Sequence, residues 1–349
     1  MTEAQKLTET VKELFTNNKG LLAIDESTVS CNKRFAKLGI PETEESRRAW
    51  RELIITTPNL SDAISGFILY DQTIRQAKAD GTSFVKVMTG AGIIPGIKVD
   101  GGLKDMEGHS GEKVTEGLEG LSDRLKEYVQ MGARFAKWRA AFSVSDILPS
   151  SDCIETNAKI LAEYAFACQE AGIVPIVEPE VLMDGSHTME RCRQVTERVL
   201  KTVFAELKVK GVALKNMILK PNMVVPGLEC PTQESVDQVA DTTIKLFMEV
   251  VPANVGGVAF LSGGQSGKLA AARLNAMHVN FKGKLPWPLT FSFSRAIQYP
   301  ALEIWQGIEE NIAAAQQALL HRAKCNQAAL CGEYKAEYDV WPGQPQNGF

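Results

Sequence analysis

The stretch Ile173–Glu180, IVPIVEPE, is apolar until its last three residues, where a glutamate stands on either side of Pro179. A near-continuous apolar run of this length reads as a strand buried on both faces, as in a parallel sheet. Before it, residues 155–171 read as a helix with Ile160, Leu161, Tyr164, Ala165 and Cys168 on one face and Gly172 as the stop. After it, residues 191–207 read as another helix. Further out the same alternation recurs, with apolar runs GLLAID (20–25), SGFILY (65–70), IIPGIKV (93–99), RFAKWR (134–139), MILKPN (217–222), GVAFLS (257–262) and LTFSFSR (289–295). A further helix is expected over 232–250, with Thr232 and Ser235 able to cap it. This alternation predicts an α/β protein, either a single (β/α)8 TIM barrel or an open doubly wound sheet. The run ends favour the barrel. Asp25, Lys98, Lys137, Arg139, Glu178, Glu180, Lys220, Ser262 and Arg295 all fall at or just past the C-terminal end of a run. A closed barrel gathers those ends into one mouth, where an active site would sit.

A chain of 349 residues accommodates one such barrel, which needs ~250 residues plus additions. We therefore expect a barrel with an N-terminal helical extension over residues 1–331 and a flexible, Gly- and Pro-rich tail over 332–349. The formal charge of −4 argues against a nucleic-acid or membrane surface as the main partner. The N-terminal MTEAQKLTETVKELF is an amphipathic charged helix without the apolar core of a signal, and no run approaches the ~20 apolar residues of a span. The expected location is the cytoplasm, or a plastid stroma if a transit peptide has been removed. The seven cysteines have no CxxC spacing and read as buried free thiols. The four histidines, at 109, 187, 278 and 321, are scattered without an HxxxH or His–carboxylate cluster, so the sequence supports no catalytic metal. His187 reads as a surface loop residue, and Trp287, Trp305 and Trp341 as packing or surface residues.

Three run ends carry charges at i and i+2: Lys98 and Asp100, Lys137 and Arg139, Glu178 and Glu180. Period-2 spacing puts both members of a pair on one side of an extended chain, and Pro179 favours extended geometry at Glu178. Any one pair is also compatible with a solvated strand end. Together they suit proton transfer and anion binding at one mouth. Lys220, in ILKPN, reads either as a nucleophilic amine or as a phosphate-binding or ion-paired lysine. A nucleophilic lysine must shed its proton, which apolar walls and a nearby cation favour. Lys137, two strands away in a barrel, is the expected cation. SGGQSGK (262–268) reads as a phosphate loop, with Gly263 and Gly264 permitting close backbone approach and Arg295 one strand on as a planar donor. It is not a Walker A motif, since Ser262 and Leu269 break the pattern. Asp25-Glu26-Ser27-Thr28 with Ser30, Lys33 and Arg34 reads as helix capping or as a second anion site.

LLAIDEST, GIKVD, GARFAKWR, VPIVEPE, LKPNMV, FLSGGQS and LTFSFSRA, in that order, closely resemble the class I fructose-1,6-bisphosphate aldolases from about Leu14 to Tyr334. The resemblance implies a metal-independent enzyme with no cofactor beyond a covalent imine on Lys220. It implies that Glu178 assists imine formation and proton transfer, with Glu180 its neighbour. Asp25, Lys137 and Arg139 correspond to groups that stabilise the imine steps, handle the C4 hydroxyl and orient substrate. Ser262, Gly263 and Arg295, with Gly264 and Ser294 beside them, correspond to the site for the phosphate on C1. Lys98, Ser27, Ser30 and Arg34 correspond to the region around the phosphate on C6. The implied partners are a phosphosugar and further copies of the chain, in a homo-oligomer, by resemblance a homotetramer. This chain departs from many relatives in ending at Phe349 rather than a tyrosine, in Ser294 before Arg295, and in Gly101 where lysine is common. Sedoheptulose 1,7-bisphosphate or fructose 1-phosphate is an alternative main substrate. A phosphosugar-binding scaffold and a glycoside hydrolase are the alternatives outside the aldolase reading.

Overall fold

The computed structural model describes residues 2–339. Its strands are β1 (Gly20–Ile24), β2 (Ile64–Leu69), β3 (Ile94–Lys98), β4 (Gly102–Asp105), β5 (Lys113–Glu116), β6 (Phe135–Phe142), β7 (Val174–Val181), β8 (Ile218–Leu219), β9 (Gly257–Phe260) and β10 (Leu289–Phe293). Eight of them close into a parallel barrel in the order β1-β10-β9-β8-β7-β6-β3-β2, while β4 and β5 pair as an antiparallel hairpin. All eight expected runs form barrel strands, and the closed ring decides against the open sheet. The helices are α1 (Glu3–Leu14), α2 (Thr28–Ala36), α3 (Glu44–Ile55), α4 (Asp71–Ile74), α5 (Phe84–Gly90), α6 (Leu121–Gln130), α7 (Ser151–Glu170), α8 (Met189–Lys210), α9 (Val236–Val250), α10 (Gly267–Asn280), α11 (Arg295–Trp305) and α12 (Ile312–Cys331). α7 starts earlier than its apolar face predicted because the Ser150 side chain accepts from Cys153 N–H and caps it. α9 begins after Ser235, which forms a capping box with Gln238; Thr232 lies outside the helix.

Alternation along the strands divides the core in two. Leu21, Ile68, Ile94, Phe135, Val174, Ile176, Ile218 and Ala259 fill the barrel interior, and Leu7, Val11 and Leu14 of α1 join them as a plug at one end. The intervening residues, such as Leu22, Ile97, Trp138, Val177, Leu219 and Phe260, pack outward against the helices. Small residues make room inside: a Cβ on Gly96 would lie 2.2 Å from the Phe135 ring. Trp305 stacks on Trp50 at 5.3 Å and Trp287 is buried, so both pack as expected. Trp341 lies outside the described residues. The expected tail begins at Gly332, whose positive φ ends α12, and its described part folds back as a 3-10 turn, Ala336–Asp339. Six of the seven cysteines are buried, whereas Cys331, at the last turn of α12, is exposed, which corrects the expectation of buried thiols throughout.

Candidate active site

The interior face of each strand continues, past the apolar layer, into the mouth. On β6, Phe135 is followed inward by Lys137 and Arg139, and on β7, Val174 and Ile176 by Glu178 and Glu180. Arg139 stands level with Glu178, and Lys98 with Lys137. Lys220 directly follows β8, where its N–H donates to the Val177 carbonyl at 2.8 Å and keeps it aligned with β7. Asn222 accepts the Val181 N–H at 3.0 Å and so anchors the LKPN segment from the other side.

Lys98, Lys137, Arg139, Glu178, Glu180 and Lys220 line a cavity of about 590 Å³ at the C-terminal mouth. Lys220 Nζ lies 3.2 Å from Glu178 Oε1, while Lys137 Nζ lies 3.3 Å from Oε2 of the same carboxylate. Lys137 also meets Asp25 at 2.6 Å and Asp100 at 3.9 Å. Glu178 thus stands between the two lysines, where the sequence had placed only a cation beside Lys220. Burial disfavours charge on Lys137, but Asp25, Glu178 and Asp100 outweigh it and raise its pKa above the ordinary lysine value. Burial likewise opposes charge on Asp25, yet Lys137 and Lys220 hold it below the ordinary carboxylate value. Arg139 pairs with Glu180 across the rim.

The suggested phosphate loop follows β9. Ser262 and Gly263 line the cavity, and Gly264 lies just outside its wall. Both glycines adopt positive φ (59° and 97°), a conformation that costs glycine little. A Cβ at Gly264 would approach the Arg295 guanidinium at 3.4 Å, which places that side chain across the loop. Ser294 turns its hydroxyl toward Glu26, donating at 2.8 Å. Ser27, Ser30, Arg34 and Lys98 line the same cavity. Ser27 caps α2 through the Ser30 N–H, so the stretch is both a helix cap and a wall of the site. Lys98 is held by Asp100 at 2.6 Å and Arg34 by Glu26.

All the candidate catalytic and substrate-binding residues except Gly264 therefore line one cavity, while Lys33 of the suggested second anion site is exposed outside it. Sequence reasoning gave Ser292 no role, and named Asp100 and Glu26 only as members of a charge pair and a possible anion site. Asp100 bridges Lys98 and Lys137, and its signal was its position two residues after Lys98. Glu26, next to Asp25, joins Arg34, Arg51, Ser294 and Gln298. Ser292, on the inward face of β10, has a buried hydroxyl in the cavity wall with no partner among the described residues. The histidine expectations need two corrections. His187 is buried, since its loop is folded under Gly227, whose N–H donates to the His187 carbonyl at 2.8 Å. His109, isolated in sequence, meets Glu112 at 3.4 Å and Asp152 at 3.7 Å where the β4–β5 hairpin reaches the start of α7. Neither histidine lines the cavity.

The family model for glycolytic class-I fructose-bisphosphate aldolase matches residues 6–345. A probable class 1 fructose-bisphosphate aldolase of Xanthomonas axonopodis pv. citri is 51% identical over 332 residues, 95% of this chain and 99% of the relative. The cytosolic fructose-bisphosphate aldolase 4 of Arabidopsis thaliana is 48% identical over 95% of this chain and 84% of its own length. Among solved structures, the fructose-bisphosphate aldolase of Plasmodium falciparum, crystallised with TRAP and a small-molecule inhibitor, superimposes with a TM-score of 0.93 at 43% identity. That match covers 95% of this chain and 96% of the other. With this barrel, this lysine-centred mouth and these relatives, the chain belongs to the class-I fructose-bisphosphate aldolase family.

Proposed function

We propose that this chain cleaves fructose 1,6-bisphosphate reversibly through an imine on Lys220, and that the observation carrying this reading is Glu178 set between Lys220 and Lys137. Lys220 Nζ attacks the C2 ketone, and loss of water leaves a protonated imine that serves as the electron sink. Glu178 takes the amine proton and returns it to the departing hydroxyl. Asp25, kept ionised by Lys137, accepts the proton of the C4 hydroxyl while the C3–C4 electron pair moves into the imine. Glyceraldehyde 3-phosphate leaves, the enamine carbon takes up a proton, and water releases dihydroxyacetone phosphate from Lys220. Arg139 and Glu180 brace each other at the rim and orient the substrate.

Ser262, Gly263, Ser294 and Arg295 hold the phosphate on C1, with Gly264 giving the loop its turn. Lys98, Ser27, Ser30 and Arg34 hold the phosphate on C6. No metal takes part, because the protonated imine supplies the electrophile. The glycoside hydrolase alternative fails on geometry: Glu178 and Glu180 share one strand and one face, while a glycosidase sets its carboxylates on opposite sides of the scissile bond. We further propose a cytosolic homotetramer. The cytosolic names of the plant relatives support the location, and no described helix is long and apolar enough to cross a membrane.

The test is reduction with borohydride in the presence of dihydroxyacetone phosphate, read by peptide mass spectrometry with EDTA throughout. An adduct on Lys220, absent in Lys220→Met, is the expected result. A folded, ligand-binding protein that yields no adduct would leave the scaffold reading in its place. Parallel assays with sedoheptulose 1,7-bisphosphate and fructose 1-phosphate rank the substrates.

A further inference from the structure

On the outer side of the barrel, α12 and the turn after it bring together three groups that suit a transition metal. His321 and Cys325 stand one helical turn apart, with Nε2 and Sγ 3.6 Å from each other. Asp339 folds back from the Ala336–Asp339 turn, so that one ligand atom from each of the three residues lies within 4.8 Å of the others. The Tyr338 carbonyl of the same turn lies 3.9 Å from Cys325 Sγ.

We propose that His321 Nε2, Cys325 Sγ and an Asp339 carboxylate oxygen, with water in the fourth position, form a zinc-type site that clamps the Ala336–Asp339 turn to α12. Zinc bonds of ~2.0–2.1 Å to nitrogen and ~2.3 Å to sulfur, at a tetrahedral angle, put those two atoms about 3.5 Å apart. The observed 3.6 Å between Nε2 and Sγ meets that spacing before any ion binds. The mixed N, S and O donor set selects zinc or cobalt over magnesium or calcium, which take all-oxygen ligands. Thiolate and carboxylate together neutralise a divalent ion. The Cys325 thiol gives up its proton to solvent as the sulfur–metal bond forms, and no redox step is involved.

Asp339 already serves Arg322 and the Tyr334 hydroxyl, both through very short contacts. A carboxylate offers about four lone-pair directions, so these two groups become the outer partners that orient a ligating oxygen. Tyr334 in turn accepts its position from α10, its N–H donating to Asn275 at 2.9 Å. The clamp therefore ties α12, α10 and the turn into one unit, immediately before residue 340. None of the proposed ligands lines the catalytic cavity, so the site is separate from the imine chemistry.

The probe is Co2+ added in equimolar amount to full-length protein stripped with EDTA, read by the thiolate-to-cobalt absorption band. The expected result is a saturable band that disappears in Cys325→Ser and whose Co2+ affinity falls at least about tenfold in His321→Gln and Asp339→Asn. Zn2+ should displace the cobalt and slow tryptic cleavage after Lys335 severalfold. No band at equimolar Co2+, a band that survives Cys325→Ser, or an affinity unchanged in His321→Gln overturns the proposal. His321 is partly exposed, so its variant remains informative if the buried Cys325 or Asp339 variant fails to fold.

Discussion

Glu178 is the residue on which the chemistry turns. It is buried, and its two oxygens face two different ammonium groups, at 3.2 and 3.3 Å. A neutral amide there keeps the shape but can neither take up nor return a proton. Glu178→Gln should lower kcat for fructose 1,6-bisphosphate cleavage by roughly 10²- to 10⁴-fold, the usual share of a positioned acid–base group. Borohydride trapping on Lys220 should slow in parallel. A variant that keeps wild-type kcat would assign the proton transfers to another group, with Asp25 the nearest candidate. The i, i+2 rule identified Glu178 from sequence because strand parity is local. Its contact with two lysines was not legible, since they come from two different strands, the neighbours of β7 on either side in the ring.

At the scale of elements, each strand holds its chemistry in place by filling the layer beneath it. Phe135 lies two residues before Lys137 on the same face, and it fits only because β3 carries Gly96 opposite. A methyl at that position would come within 2.2 Å of the ring, and a barrel interior has few alternative rotamers to offer. Gly96→Ala should cost about 1–3 kcal/mol in denaturant unfolding, the range for overpacking a filled core. It should also reduce kcat by shifting β6 and Lys137. An unchanged midpoint would mean that the ring moves freely and that the interior is looser than its geometry implies. Helix ends were partly legible at this scale. Ser235 and Gln238 spell out the capping box of α9, while the start of α7 depended on Ser150, which also binds Glu112 of the hairpin.

For the whole molecule, Glu26 holds the seam where the barrel closes. From the loop after β1 it reaches Arg34 of α2, Arg51 of α3, and Ser294 and Gln298 of the last strand–helix unit. Burial raises its proton affinity, but the two guanidinium groups outweigh that and hold Glu26 well below the ordinary carboxylate value. A carboxyl whose folded pKa lies below its unfolded one adds stability that is fully present above the unfolded value and is lost as pH falls toward the folded one. Stability should therefore drop as pH falls below about 4.5, the ordinary glutamate value. Glu26→Gln should cost about 3 kcal/mol at neutral pH, because it leaves the buried Arg51 short of its counter-charge, and should flatten the acid limb of the pH profile. Denaturant melts of both proteins from pH 3 to 7 check this. An acid limb of equal depth in the variant would place the tie elsewhere.

The sequence by itself determined the eight apolar runs, the polar groups at their ends and the parity that turns Lys137, Arg139, Glu178 and Glu180 the same way. These follow from the period of a single extended strand and from what each residue can bury, both of which are local. Its motif order also carried the family. Tertiary structure alone decided which charges meet: Glu178 between two lysines, Asp100 between Lys98 and Lys137, and Glu26 across the seam. It also brought Asp339 to His321 and Cys325, which the sequence shows only as a helical spacing and a distant acid. The Glu26 contact depends on closing a ring whose first and last strands are nearly the whole chain apart, and the others on separate elements meeting in space; no local period encodes either.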